Sequence, residues 1–170
     1  MRSTIPALLW HTGSRIRNPN LTKHLSALKE SEFIELEDLV SIQFRRALET
    51  LIYAFKSSPF YRKKFIDADF NPSNDFNSLE DIKRIPTTTK DELIGYNSSV
   101  HSSSFKDKAF LSETSGSTGQ SLKFRKDENW DSFNRASRAR GFSWYGIKPW
   151  DRNGYLWGYN FSPTAKLETT

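Results

Sequence analysis

The residues best suited to chemistry are Ser112-Glu113-Thr114-Ser115-Gly116-Ser117-Thr118-Gly119, of which five carry hydroxyls and two are glycines. Phe110-Leu111 precedes this run and Leu122-Lys123-Phe124 follows it, so it reads as a tight loop between two short strands. Glycine lets the backbone take positive φ and bring its N–H groups close to a ligand. Successive N–H groups in such a turn form an anion-binding concavity, to which Ser and Thr hydroxyls add donors. A polyphosphate needs such a loop, rich in donors and free of bulky side chains. The Gly-Lys-Ser/Thr ending of a Walker A loop is missing. The plain alternative is a solvated Ser/Thr/Gly turn.

Other candidate groups are fewer. Thr87-Thr88-Thr89-Lys90 invites a role for Lys90 as a phosphate ligand. A hydroxyl at a helix N-cap already explains Thr89, however, and acids in a first turn explain Asp91 and Glu92. Tyr61 is a candidate ligand contact whose simpler role is core packing. Cysteine is absent, which excludes disulfides, thiolate zinc sites and a Cys nucleophile. The three histidines, His11, His24 and His101, are too scattered to suggest a metal cluster. No catalytic residue and no metal ligand is assigned.

These groups must be positioned by a chain of 170 residues, long enough for one domain with a core. Mean hydropathy is low at −0.67, yet aromatic residues reach 14%, which argues against disorder. The apolar stretch from Ile5 to Trp10 is broken by Pro6 and too short for a signal-peptide core, and no run is long enough to span a bilayer. A cytoplasmic protein with no membrane partner is the expectation. A net charge of +5 and a pI near 9.4 raise nucleic-acid binding as an alternative. The basic residues are dispersed, with clusters at Arg62-Lys63-Lys64, Lys123 to Lys126, and Arg135, Arg138 and Arg140. A helix carrying those arginines is expected to be solvated, with Trp130 and Phe133 turned into the core. Anionic small ligands are the commoner reason for such local charge.

In chain order, residues 1–20 lack periodicity and read as a loose arm. Leu21, Leu25 and Leu28 mark a short amphipathic helix, and Leu36, Val40, Phe44, Leu48, Leu51 and Phe55 one face of a longer helix over about 35–57. Ser58 is its successor's N-cap, with Pro59 at the first helical position. This third helix is expected to bury Phe60, Tyr61 and Phe65 and to expose Arg62, Lys63 and Lys64. Asn71 to Asp75 is a turn cluster, and capping boxes open helical turns at Ser78–Asp81 and Thr89–Glu92. Asn97 to Ser104 reads as a polar surface loop. Asp127 caps a helix to about Ala139, and Tyr155-Leu156-Trp157 reads as a buried strand. Helix then strand after the hairpin suggests the first αβ unit of a larger α/β domain.

Thr114 to Gly119 resembles the phosphate-binding signature of the adenylate-forming (AMP-binding, acyl-CoA synthetase) superfamily. Within it, the chain is similar to the branch of phenylacetate–CoA ligase and the capsular-polysaccharide-biosynthesis proteins. Leu51 to Arg62, with its apolar helix and Pro59-Phe60-Tyr61-Arg62, resembles that branch's N-terminal block. Leu79 to Ile82 and Ile85 to Leu93 resemble the next block. Trp144-Tyr145-Gly146 with Asp151-Arg152 resembles the run into its central strand, departing from it at Trp150. The resemblance covers about residues 35–160 and implies a helical region over 21–105. The phosphate-loop hairpin and first αβ unit of a truncated AMP-binding domain then occupy 106–170.

In function, the resemblance implies activation of a small-molecule carboxylate by MgATP to an acyl-adenylate, with CoA, another thiol or a hydroxyl as acceptor. Thr114, Ser115, Gly116, Ser117, Thr118 and Gly119 would cradle the β- and γ-phosphates. Gln120 and Ser121 stand where family loops often carry proline, and Lys123 is either the basic phosphate contact or an exposed strand residue. Downstream adenine, metal and lysine motifs of the family have no counterpart here. The expectation is therefore an N-terminal fragment or truncated product, inactive alone. Two other readings are kept. One is a non-catalytic derivative that binds nucleotide or a protein partner, the other a basic nucleic-acid-binding module.

Overall fold

The computed structural model describes residues 4–102, 109–114, 120–152 and 154. Helix makes up 68% of these and the sheet is a two-stranded hairpin, so the chain is mixed α and β with helix dominant. The helices are α1 (Thr4–Arg17), α2 (Leu21–Glu30), α3 (Leu36–Ser57), α4 (Pro59–Asp67), α5 (Pro72–Asp75), α6 (Lys90–Gly95), α7 (Asn97–Val100) and α8 (Glu128–Ser143). Short 3₁₀ segments cover Ser31–Phe33 and Leu79–Arg84. Strands β1 (Phe110–Glu113) and β2 (Lys123–Lys126) separate α7 from α8. Among the described residues no helix is long and apolar enough to cross a membrane. The expected strand at Tyr155–Trp157 lies outside the described residues.

The core sits where α3, α4 and α5 meet. Phe65, Phe70 and Phe76 are buried there, with Phe44, Leu48, Leu51 and Phe55 of the α3 stripe packed against them. The stripe's start is a different matter. Leu36 and Val40 remain 66% and 43% exposed, because α3 outruns the elements that cover it. Ser58 caps α4 through the Tyr61 N–H, with Pro59 in the first turn, as the sequence implied. Arg62 closes the end of α3 by donating to the Phe55 carbonyl at 2.9 Å and to that of Lys56, where a cation also meets the negative end of the helix dipole.

Helix α4 ends in a Schellman turn. The Phe70 N–H donates to the Phe65 carbonyl at 2.9 Å and the Asp69 N–H to that of Ile66 at 3.0 Å. The two phenylalanine rings meet edge to face at 5.6 Å, supplying the hydrophobic contact of that motif. Asp69 therefore sits at φ 49°, the left-handed conformation usually given to glycine. Replacing Asp69 with Gly is expected to stabilise the chain by up to about 1 kcal/mol. A higher urea midpoint at unchanged slope is the readout, and a lower midpoint would refute it.

Several expectations are corrected: Phe60 and Tyr61 are half-buried where α4 was to bury them, and Pro72–Asp75 forms a helical turn within the turn cluster. Residues Thr4–Arg17 form a helix, not a loose arm. Pro6 lies in its first turn, where the missing N–H costs no helical hydrogen bond. Ala7, Trp10 and Ser14 are half-buried on one face, while Ile5, Leu8, Leu9 and Ile16 point outward at 67–81% exposure, which hides the usual periodic signal. Residues 97–100 are helical where a loop was expected, because Ser58 Oγ donates to the carbonyls of Ser99 and Val100. The Lys64 side chain is only 16% exposed because it pairs with Glu92. Trp130 and Phe133 are 45% and 41% exposed, and α8 instead buries Ser132, Ala136 and Ala139. Small residues let α8 lie close to α2.

That contact is fastened by polar side chains. Asn18 Nδ2 donates to Asp131 at 2.9 Å, Asn20 Nδ2 to Glu128 at 2.6 Å, and Arg135 Nε to Asp131 at 2.8 Å. Burial pushes both carboxyls upward, but the hydrogen bonds from Ser132 and Asn20 to Glu128, and from Arg135 and Asn18 to Asp131, outweigh it and hold both below their ordinary values. Helix α8 itself begins at the expected cap, with Asp127 Oδ1 accepting from the Trp130 N–H at 2.8 Å. It runs through Gly141 to Ser143 and closes with Gly146 at φ 69°.

Candidate functional site

Strands β1 and β2 pair antiparallel, with Phe110 opposite Lys126, Leu111 opposite Arg125, Ser112 opposite Phe124 and Glu113 opposite Lys123. Beyond the last pair, Thr114 and Leu122 clamp the loop. The Thr114 N–H donates to the Leu122 carbonyl at 3.0 Å, and the Leu122 N–H donates to Thr114 Oγ1 at 2.9 Å. One lone pair of the Thr114 hydroxyl is thus engaged in closing the hairpin, and its proton remains available to donate. The Ser121 hydroxyl donates to the Glu113 carboxylate on the same ladder. Ser115, Gly116, Ser117, Thr118 and Gly119 lie outside the described residues.

Lys123 is exposed, on the same face of the hairpin as Glu113 opposite it. Period-two alternation puts its neighbour Phe124 on the other, half-buried face. Asn97 of α7 holds the strand here, its Nδ2 donating to the Lys123 carbonyl at 2.6 Å. One turn on, His101 bridges the same two elements. Its Nδ1 lies 2.6 Å from the Asn97 carbonyl, and its Nε2 accepts the Arg125 N–H at 3.1 Å. A carbonyl only accepts and a backbone N–H only donates, so the ring carries its proton on Nδ1.

Lys90, whose neighbours are explained by a helix cap, comes to the same place. The Thr89–Glu92 capping box forms as expected, and it directs Lys90 across to the hairpin, where Nζ donates to the Gln120 carbonyl at 2.6 Å. Gln120 immediately follows Gly119. Lys90 and Gln120 are thirty residues apart, and no periodicity connects them; the only local signal was a lysine at the first position of a capped helix.

The α6 cap has a second anchor. Lys64 Nζ donates to Glu92 Oε1 at 2.7 Å, while Glu92 Oε2 accepts from the Thr89 N–H at 2.8 Å. The Lys64 hydrogen bond first, then that of Thr89, holds the Glu92 carboxyl at about 2, well below its ordinary 4.5. A depressed carboxylate contributes stability that is complete above the unfolded value and lost as pH falls through the folded one. The tie between α4 and α6 is therefore expected to weaken from about pH 4.5 down to about 2. A carbon-detected NMR titration of Glu92 should show the low midpoint, and Lys64→Met should raise it. An ordinary midpoint in the parent chain would refute the assignment.

Beside the hairpin lies a cavity of about 370 Å³, bounded by Tyr53, Ser58 and Tyr61 from the helices, His101, and Phe124 and Trp130 from the hairpin side. Tyr53 Oη and Ser102 Oγ share a hydrogen bond of 2.7 Å across it. Burial raises the Tyr61 phenol above its ordinary value, opposed by the charge of Lys64. The cavity is mostly apolar with a few hydroxyls, the composition of a small-molecule site. Around the clamped ends of the hairpin the arrangement brings together the hydroxyls of Thr114 and Ser121, the lysines Lys90 and Lys123, and an apolar recess behind the strand. Among the described residues no group of three or more acidic or histidine side chains could hold a metal ion.

No family model matches the chain. Over 62 residues, 36% of its length, it is 37% identical to phenylacetate-coenzyme A ligase of Escherichia coli (strain K12). That stretch covers 14% of the ligase, far less than two thirds of it. The similarity is therefore to a coenzyme A ligase over this stretch alone.

Proposed function

We propose that this chain is the N-terminal portion of an ATP-dependent, carboxylate-activating ligase, with residues 114–119 as the seat of the β- and γ-phosphates. The observation that carries the reading is the position of the Thr-Ser-Gly-Ser-Thr-Gly run, between the clamped ends of a β-hairpin with Lys90 donating at its C-terminal side. The partial similarity to a CoA ligase supports the same class of chemistry. In such a reaction the carboxylate attacks the α-phosphate, the bond to the bridging oxygen breaks, and pyrophosphate leaves with the electron pair. Backbone N–H groups, hydroxyls and lysines around the leaving phosphates would stabilise the charge that develops there. Mg²⁺ enters this reading with the nucleotide, and CoA or another nucleophile accepts the acyl group afterwards. On this reading residues 21–105 are a helical platform, and residues from 106 onward open the nucleotide-binding domain.

The test is ligand-dependent thermal stabilisation of the 170-residue chain. MgATP and pyrophosphate are expected to stabilise it, whereas adenosine and AMP, which lack the β- and γ-phosphates, are not. A ligand at a hundred times its Kd adds about 2.7 kcal/mol, a shift of roughly 5–10 °C for a chain of this size. Absence of any shift with ATP and pyrophosphate would remove the phosphate-loop reading. Pyrophosphate exchange is expected to be silent with any carboxylic acid, and turnover by this chain alone would overturn its assignment as a portion of the enzyme.

A further inference from the structure

Helices α1, α2 and α8 enclose a second cavity, of about 240 Å³, which shares no residue with the recess beside the hairpin. Trp10, Leu21 and Phe142 give it an apolar lining, and Arg17 and Arg138 line it from α1 and α8. Both arginines are exposed, and among the described residues neither guanidinium has a carboxylate, hydrogen-bond acceptor or aromatic ring as partner. The third arginine at this cavity, Arg135, is different: Asp131 already occupies its Nε at 2.8 Å. Helix α1 carries no acidic residue, and the two carboxylates that α8 turns toward the α1–α2 junction, Glu128 and Asp131, are taken up by Asn20 and Asn18.

Two uncompensated guanidiniums around an apolar cleft are complementary to one kind of molecule. The planar fork of arginine matches a carboxylate or similar oxyanion with two parallel hydrogen bonds. The hydrocarbon wall favours an apolar body behind that head. The volume lies below the roughly 300–1,000 Å³ of sites for drug-sized ligands, so the occupant is small. We infer that this cavity binds a small organic anion with an apolar tail, such as a medium-chain carboxylate, at a site separate from the phosphate loop. The carboxylate head pairs with Arg17 and Arg138 while the tail lies along Trp10, Leu21 and Phe142. Occupancy would tie α1 to α8, coupling the N-terminal helix to the helix that follows the hairpin.

Calorimetric titration of the full chain with octanoate tests this, with 1-octanol as the tail without charge and acetate as the charge without tail. One saturable octanoate site is expected, with octanol and acetate each binding at least about tenfold more weakly. Arg17→Gln and Arg138→Gln should each weaken octanoate about tenfold, while Arg45→Gln on α3 removes an equal charge without effect. Far-UV circular dichroism confirms that each variant is folded. Octanol binding as tightly as octanoate would overturn the inference. So would unchanged affinity in both arginine variants, or no saturable octanoate binding at all. None of these results bears on whether ATP stabilises the chain, so the two proposals fail separately.

Discussion

Phe76→Ala is expected to cost the chain about 3–5 kcal/mol, the range for truncating a fully buried phenylalanine. Phe76 is only 2% exposed, and its ring stacks on Phe44 of α3 at 5.6 Å with an interplanar angle of 8°. It joins the 3₁₀ segment and α5 to the long helix, so its loss opens a void that no neighbour can fill without moving backbone. Folded domains are stable by only about 5–15 kcal/mol, so this one change removes a large part of the total. Urea unfolding followed by far-UV circular dichroism should show the midpoint collapse. Phe33→Ala is the matched control, because Phe33 is 91% exposed and its truncation should stay within about 0.5 kcal/mol. A cost below about 1 kcal/mol at Phe76 would mean that the phenylalanine cluster does not hold this region together.

Joint replacement of Gly116 and Gly119 by Val is expected to abolish stabilisation by MgATP and pyrophosphate, leaving the free protein's melting temperature within about 2 °C of the parent. This follows from the proposed phosphate seat. In that proposed seat the backbone N–H groups of the two glycines would face the phosphates, and valine's branched side chain would stand where a phosphate approaches. A turn that only connects two strands would also tolerate the change in the free protein, so the ligand-dependent shift is the discriminating quantity. Lys90→Met and Lys123→Met separate the two lysines. Lys90 donates to the carbonyl of Gln120, so its loss should weaken phosphate binding through the loop's position. Lys123 lies on the exposed face with Glu113, and its loss should matter only if its charge reaches the phosphates. A double-glycine variant that keeps the full ATP shift would sink the phosphate-seat reading.

Local sequence decided much of this molecule. The stripe from Leu36 to Phe55 is long and regular enough to specify α3, and Ser58-Pro59, Ser78–Asp81, Thr89–Glu92 and Asp127 each place a helix start within one turn. These signals act through backbone hydrogen bonds spanning three or four residues, so the residues that make them are adjacent in the chain. Phe110-Leu111 and Leu122-Lys123-Phe124 likewise announced the hairpin, because both strands and their turn lie within one short stretch.

Tertiary structure alone decided the rest. Helix α1 was invisible because its aliphatic face points outward and the face it presents to the body is Ala7, Trp10 and Ser14, a set without hydrophobic contrast. Sequence alone places Lys64 on the solvated side of α4, since nothing near it in the chain points to Glu92. The exposure of Trp130 and Phe133 follows from α8 turning its small residues to α2, a choice made by the fit between two helices and not by the hydropathy of one. The same holds for the chemistry. Residue types named the loop, but only folding brought Lys90 to Gln120, His101 to Arg125, and Arg17 to the cavity it shares with Arg138. Such long-range pairings depend on how elements pack, and no spacing along the chain encodes that.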